Sequence, residues 1–328
     1  MQQLAVDVTR AVRGSSTRRF LVAITAATFV PWLLLPFFAP PEGRSPLDLR
    51  LLIFVAGAPH VLSTLALYFD PGMRPLVAAK RGRFVYAPIV LLVTVPLLYG
   101  LGSTRVVSIA VVAAGGWAAY HFSRQNLGVL SFVYAGRGLP SPTRWERDLL
   151  GAVGIVGVIG VVGAASELTG ANLVPFGAPL RQLAALAMAA ILIAAAPAVW
   201  RRRHDALSCL FLVESLLFFA PFLFFGGKAA VPYGVAHGLQ YLVFMAFLVA
   251  HRPAPTRAPV RALVIAGLAI PALGGLAYHV ARQSGVPALI GVLAAATFIH
   301  FVMDASIWRL REPVQRRYAL ERFPFLER

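Results

Sequence analysis

The chain has a single cysteine, Cys209, and only 13 acidic residues against 30 lysines and arginines in 328 positions. One cysteine excludes an intrachain disulfide and any thiolate-rich metal site, and leaves Cys209 as a packing residue. Hydrophilic stretches long enough for a soluble domain are missing too. The largest connections between apolar runs, 135–148 and 166–182, are rich in Gly and Pro and read as loop or interfacial helix. No cleavable signal peptide is expected, because the basic N-terminal segment leads into a long apolar run followed by several more. Also absent are the clustered patterns HxxxH, HxxHH and HExxH, which place two or more metal ligands on one stretch of helix. Any histidine ligands must therefore come singly, from separate segments.

What the chain has in excess is apolar length. It is 59% hydrophobic and 13% charged, against roughly 45–50% apolar residues in soluble domains. Runs of about 20 apolar residues, enough to cross a ~30 Å hydrocarbon layer as helix, fall at 20–39, 49–69, 84–101, 106–129, 149–165, 183–200, 206–225, 231–250, 262–280 and 286–308. The expected fold is all-α: one polytopic membrane bundle over 1–328 with about ten transmembrane helices. The net charge of +17 would suggest nucleic acid in a soluble protein, but its placement points to the bilayer instead. With the N-terminus inside, 23 of the 30 basic residues fall on the cytoplasmic side, six on the other, and Arg124 completes the set. That asymmetry satisfies the positive-inside rule. It makes 1–19 and 309–328 cytoplasmic basic ends, sets the protein in a bacterial inner membrane, and lays its loops against anionic headgroups.

Two runs stand out. The fifth carries Gly151, Gly154, Gly157, Gly160 and Gly163, which let neighbouring helices approach closely. A three-residue step drifts about 60° around a helix, so these glycines mark a crowded central helix rather than one contact stripe. The fourth run continues past a single crossing, through 122–135, and must tilt or end along the interface. Arg124 then either snorkels to the headgroups or pairs in the interior with a carboxylate such as Glu214, itself a candidate site base.

Four histidines, His60, His121, His237 and His300, lie in four different apolar runs. Ionisable residues at this depth are functional-site candidates. His60 follows Pro59 and is followed by Ser63 and Thr64. His121 shares a helix face with Trp117 and Gln125, and His237 shares one with Tyr233, Gln240 and Tyr241. His300 has Asp304 one turn later, with Trp308 on the same side. All four histidines lie on even-numbered runs, which cross in one direction, so they can meet at one depth. Imidazoles that bind a metal usually have an orienting partner; Thr64, Gln125, Asn126, Gln240 and Asp304 are the candidates, and Asp304 is also a candidate ligand. Trp117, Tyr233, Tyr241 and Trp308 are candidates for the wall of a substrate slot. His204, His251 and His279 read as interfacial, as does Glu167.

An all-imidazole set, with or without one carboxylate, suits iron, zinc or copper and not magnesium or calcium. The pattern of Gly57 and His60 with a proline between, His121–Phe122, His237, and His300 followed by Asp304 resembles the Brp/Blh family of bacterial and archaeal carotene dioxygenases. The chain has Ser63 and Thr64 where that family usually carries an acid. The resemblance implies transmembrane histidines holding a nonheme Fe(II), and a polyene split into aldehydes by O2. The leading expectation is thus a membrane-embedded iron oxygenase whose partners are the bilayer, an apolar carotenoid- or isoprenoid-like substrate and O2, with no nucleic acid. Its site would use Asp304, Arg124 and Glu214 as catalytic groups. Three alternatives remain open: an intramembrane zinc hydrolase of a lipid, a haem protein carrying electrons, and a proton-coupled transporter relaying through Arg124, Glu214 and Asp304.

Overall fold

The computed structural model describes residues 2–33, 60–61, 63–64, 67–165, 174–225, 230–251 and 287–326. Among these residues all regular structure is helical, with no strand. In chain order the helices are α1 (Gln2–Leu33), α2 (Arg74–Ala79), α3 (Ala87–Leu101), α4 (Thr104–Gly136), α5 (Arg144–Gly163), α6 (Gly177–Arg202), α7 (Ala206–Leu217), α8 (Ala220–Phe225), α9 (Ala230–Ala250), α10 (Pro287–Ile307) and α11 (Pro313–Leu320). A short helical piece also carries His60, Val61, Ser63 and Thr64. Five segments, Gly82–Leu101, Thr104–Gly136, Gly177–Arg202, Ala206–Phe224 and Ile290–Ile307, are long and apolar enough to cross a membrane. The chain is an all-helical integral membrane protein. The expected runs at 20–39, 149–165 and 231–250 overlap α1, α5 and α9, whereas 34–39, 262–280 and much of 49–69 lie outside the described residues.

Local chemistry sets where these helices begin. At the start of α4 the Ser103 side chain accepts the Val106 N–H, and at α7 Asp205 accepts that of Ser208 at 2.9 Å. At α5 Thr143 and Glu146 form a reciprocal capping box, which satisfies two otherwise unpaired backbone donors. α4 continues to Gly136, in line with the expected continuation through 122–135, and only seven residues separate it from α5. Half of the connection expected over 135–148 is therefore helix.

Glycines decide how closely the helices approach. A Cβ on Gly154 would sit 2.9 Å from Ser123 of α4, one on Gly157 2.8 Å from the Phe219 ring, and one on Gly163 2.7 Å from Arg181 of α6. α5 thus makes close contact on several sides, as the 60° drift of its glycines requires. α10 lies along α3 in the same way, since a Cβ on Gly291 would meet Pro96 Cα at 2.6 Å. The outward face of α3 exposes Ile89, Val90, Leu92, Val93 and Leu97, apolar side chains fit for contact with lipid.

The arginine-rich end is stitched by buried ions. Glu146 accepts Arg202 Nε at 2.9 Å and Arg202 Nη2 at 3.0 Å, and the guanidinium lies 4.1 Å over the Tyr134 ring. Burial raises the Glu146 carboxyl, but the Arg202 hydrogen bonds and the Thr143 N–H outweigh it and hold the group below its ordinary value. The basic tail, expected to lie against headgroups, instead folds back over its described residues, 309–326. Arg322 is buried against Asp70, which also accepts the Tyr318 hydroxyl at 2.9 Å. Phe323 and Phe325 pack against Phe20 and Phe132. A basic residue inside the tail is thus an ion-pair partner, not a headgroup contact, because Asp70 supplies the opposite charge where no water reaches.

Candidate metal centre

Four helical segments each carry one imidazole to the same place. His60 arrives on the short piece before Asp70, His121 on α4, His237 on α9 and His300 on α10. All four are buried, His300 completely and none more than 5% exposed. Ring centroids are 4.7 Å apart for His60 and His237, 4.8 Å for His60 and His300, 5.0 Å for His121 and His237, and 5.2 Å for His121 and His300. Two trios have donor atoms within 4.8 Å of one another and could each hold a metal ion: His60, His237 and His300; and His121, His300 and Asp304.

The hydrogen bonding around these rings is uneven. Thr64 Oγ1 lies 2.7 Å from His300 Nδ1 and 2.9 Å from the Tyr241 hydroxyl, and it also donates to the His60 carbonyl at 3.3 Å. Ser63 donates to that same carbonyl at 2.7 Å. The hydroxyls expected to flank His60 therefore serve two purposes: they close its backbone turn and occupy one nitrogen of His300. The other nitrogen, His300 Nε2, is buried without a hydrogen-bond partner, as are His121 Nε2 and both ring nitrogens of His237. Buried polar atoms are nearly always paired in folded proteins, so this concentration of bare nitrogens is unusual. Asp304 Oδ2 lies 3.6 Å from His121 Nε2, and Trp308 Nε1 donates to Asp304 Oδ1. Apolar rings shield the group. Phe122 lies over His237 at 4.2 Å and Phe301 over His121 at 4.5 Å.

The structure separates the other expected site residues into several groups. Thr64 and Asp304 sit beside imidazoles as expected. Gln125 and Gln240 do not: Gln125 Nε2 donates to Gln240 Oε1 at 3.0 Å and to the His237 carbonyl at 3.1 Å, and Gln240 Nε2 donates to Thr28 Oγ1 of α1 at 3.0 Å. Four residues advance a helix by about 6 Å along its axis, so Gln125 reaches the layer next to His121 and ties α4, α9 and α1 together. Asn126 is buried with an unpartnered Nδ2. Tyr241 joins the polar hub at Thr64, and Trp308 belongs to an aromatic cluster with Phe132 and Phe244. Trp117 is 40% exposed and stacks on Phe298 and Phe301 at the edge of an apolar groove. Tyr233 falls on α9, with its side chain outside the described set.

Arg124 is exposed, and among the described residues no ion pair joins it to Glu214. Of the two alternatives for Arg124, the interior pair with Glu214 is not formed, and that face of α4 is left uncovered. Glu214 is buried on α7, where Ser215 donates to it at 3.5 Å, and it belongs to neither metal-binding trio. His204 is exposed, whereas His251 ends α9 with Nε2 2.8 Å from Ser16 Oγ of α1. His279 and Glu167 lie outside the described residues. What sequence reasoning missed are the covering roles of Phe122, singled out only beside His121, and of Phe301. Nothing in spacing reveals them, since each covers a histidine on a different helix. Compared with known families, curated proteins and solved structures, the chain matches none.

Proposed function

We propose that this chain is a membrane-embedded oxygenase in which His60, His121, His237 and His300, with Asp304, hold a single nonheme iron and act on an apolar substrate dissolved in the bilayer. The observation that carries this reading is the set of buried imidazole nitrogens without partners, contributed by separate helices to one point. The donors are nitrogen with one carboxylate, a set that fits iron or zinc and not a hard alkaline-earth ion. Fe(II), when bound, supplies the activation of O2.

The protein's own groups do the rest. Thr64, by engaging His300 Nδ1, fixes which nitrogen faces inward, the usual task of a residue behind a metal-bound imidazole. Trp308 holds one carboxylate oxygen of Asp304 and leaves the other toward His121. Phe122 and Phe301 exclude water. A groove of about 580 Å³, lined by Ile109, Val112, Trp117, Tyr120, Val158 and Val162 among others, opens on the apolar surface. Its Trp117 edge packs on Phe301, which in turn covers His121. This supports an apolar molecule approaching from the lipid side. The topology proposed with it has about ten crossings and both ends on the cytoplasmic side of a bacterial inner membrane; a C-terminal reporter active outside the cell would refute it.

A second reading has one observation in its favour. His121, His300 and Asp304 make a two-histidine, one-carboxylate set, which zinc hydrolases also use. Elemental analysis and an absorption spectrum of the purified chain decide between the two. Stoichiometric iron without a haem band supports the oxygenase, zinc supports the hydrolase, and a haem band or the absence of any metal overturns both.

A further inference from the structure

The five candidate ligands do not form one even shell. They divide into His60, His237 and His300 on one side and His121, His300 and Asp304 on the other, and no larger set meets the same 4.8 Å limit among the described residues. Two ligands on one ion, each about 2.1 Å from it, stand at most ~4.2 Å apart. Either trio closes on an ion with small side-chain rotations, but all five together need both trios drawn inward at once. His300 is common to both. Its Nδ1 is taken by Thr64 at 2.7 Å, which leaves Nε2 as its one inward donor. A single nitrogen lone pair serves one ion.

We infer that the centre holds one ion in either of two mutually exclusive ligand sets that pivot on His300, with Asp304 as an exchangeable ligand; this rests on the metal reading above. The two sets differ in charge. The imidazole trio is neutral and leaves a dication uncompensated in an apolar interior, whereas the Asp304 trio removes one unit of it. Between the two, the ligands that are released stay in place. Asp304 falls back on Trp308 and His121, while His237 remains under Phe122. The shift opens a coordination position without moving a helix.

The test is metal affinity, not turnover. The full chain in detergent is stripped with chelator and titrated with cobalt(II) alone, and its melting is followed alongside. The wild type is expected to bind one equivalent. His237→Ala and Asp304→Asn should each keep one equivalent with affinity weakened about tenfold, because each leaves one trio whole. His300→Ala, and the double variant His237→Ala with Asp304→Asn, should each show no cobalt binding above background, well beyond the roughly 100-fold loss that adding the two single losses would give, since each breaks both trios. If His300→Ala does not fold, the double variant alone decides, because both of its parents bind and it does not. Two equivalents in the wild type would overturn the pivot. So would a His237→Ala loss as large as the expected His300→Ala loss, or a double variant that merely adds the single losses, since each describes one five-ligand shell. A wild type that binds no cobalt, iron or zinc would remove the metal reading itself.

Discussion

The arginine-rich end and the middle of the bundle bury polar groups equally deeply and treat them in opposite ways. At the end, both oxygens of Glu146 are met: Oε1 by Arg202 and Tyr134, Oε2 by Arg202 and the Thr143 N–H. Both oxygens of Asp70 are met as well, by Gly72, Tyr318 and Arg322. In the middle, His237 has neither nitrogen engaged, and His121 and His300 each leave Nε2 bare. An unmade buried hydrogen bond costs about 1–3 kcal/mol, so the four bare ring nitrogens of the middle carry a larger penalty than the end, where Arg322 Nε lacks a partner. The first region joins helices; the second leaves donor nitrogens of separate helices facing one another.

Mutation can break this contrast. The largest effect is expected for His300→Ala, which breaks both trios and should reduce bound metal to background and abolish turnover; normal metal content in that variant would make the imidazoles packing residues. Next comes Glu146→Ala, which strands Arg202 and should lower stability by about 3–5 kcal/mol while metal per folded chain stays unchanged. If metal content falls with stability, the two regions are not independent. The same carboxylate sets a pH trend. Its value is held below normal, so its contribution is present above the unfolded carboxylate value of about 4.3 and is lost as pH falls further, through the folded value. Acid melting curves of the wild type and Glu146→Gln should therefore converge at low pH.

A smaller effect is expected for Thr64→Val, which keeps every ligand but frees His300 Nδ1. Metal affinity should drop about 10–100-fold with the fold intact, as read by competition with a chelator. The smallest is expected at the remaining described histidines. His204→Ala should change nothing measurable, and His251→Ala should cost about 1 kcal/mol through the lost Ser16 contact, with metal content untouched in both.

Much of this was legible from the chain. Apolar run length located α3, α4, α6, α7 and α10 because hydrocarbon thickness imposes a minimum helix length, and the drift of the α5 glycines foretold contact on several sides. One signal was there and went unread: Thr143 and Glu146 stand at the spacing of a capping box and mark the start of α5. At the site, the four histidines and Asp304 stood out because their cost in an apolar setting demands a reason. Trp308 stood out only by spacing, and its bond to Asp304 is the i, i+4 contact that spacing allows. The roles of Gln125, Gln240, Tyr241 and Glu214 were not legible, since each is set by what a different helix brings opposite it. Periodicity gives a face but not the neighbour across it.

The hydrogen bond from Trp308 to Asp304 has an optical consequence. The chain contains five tryptophans, and this one has its indole N–H on a candidate ligand of the ion. An ion with unpaired d electrons beside that carboxylate drains the excited indole, whereas filled-shell zinc leaves its emission bright. Trp308 is therefore a built-in gauge of what occupies the centre, and the dimming on adding iron(II) or cobalt(II) should vanish in Trp308→Phe while zinc stays silent in both.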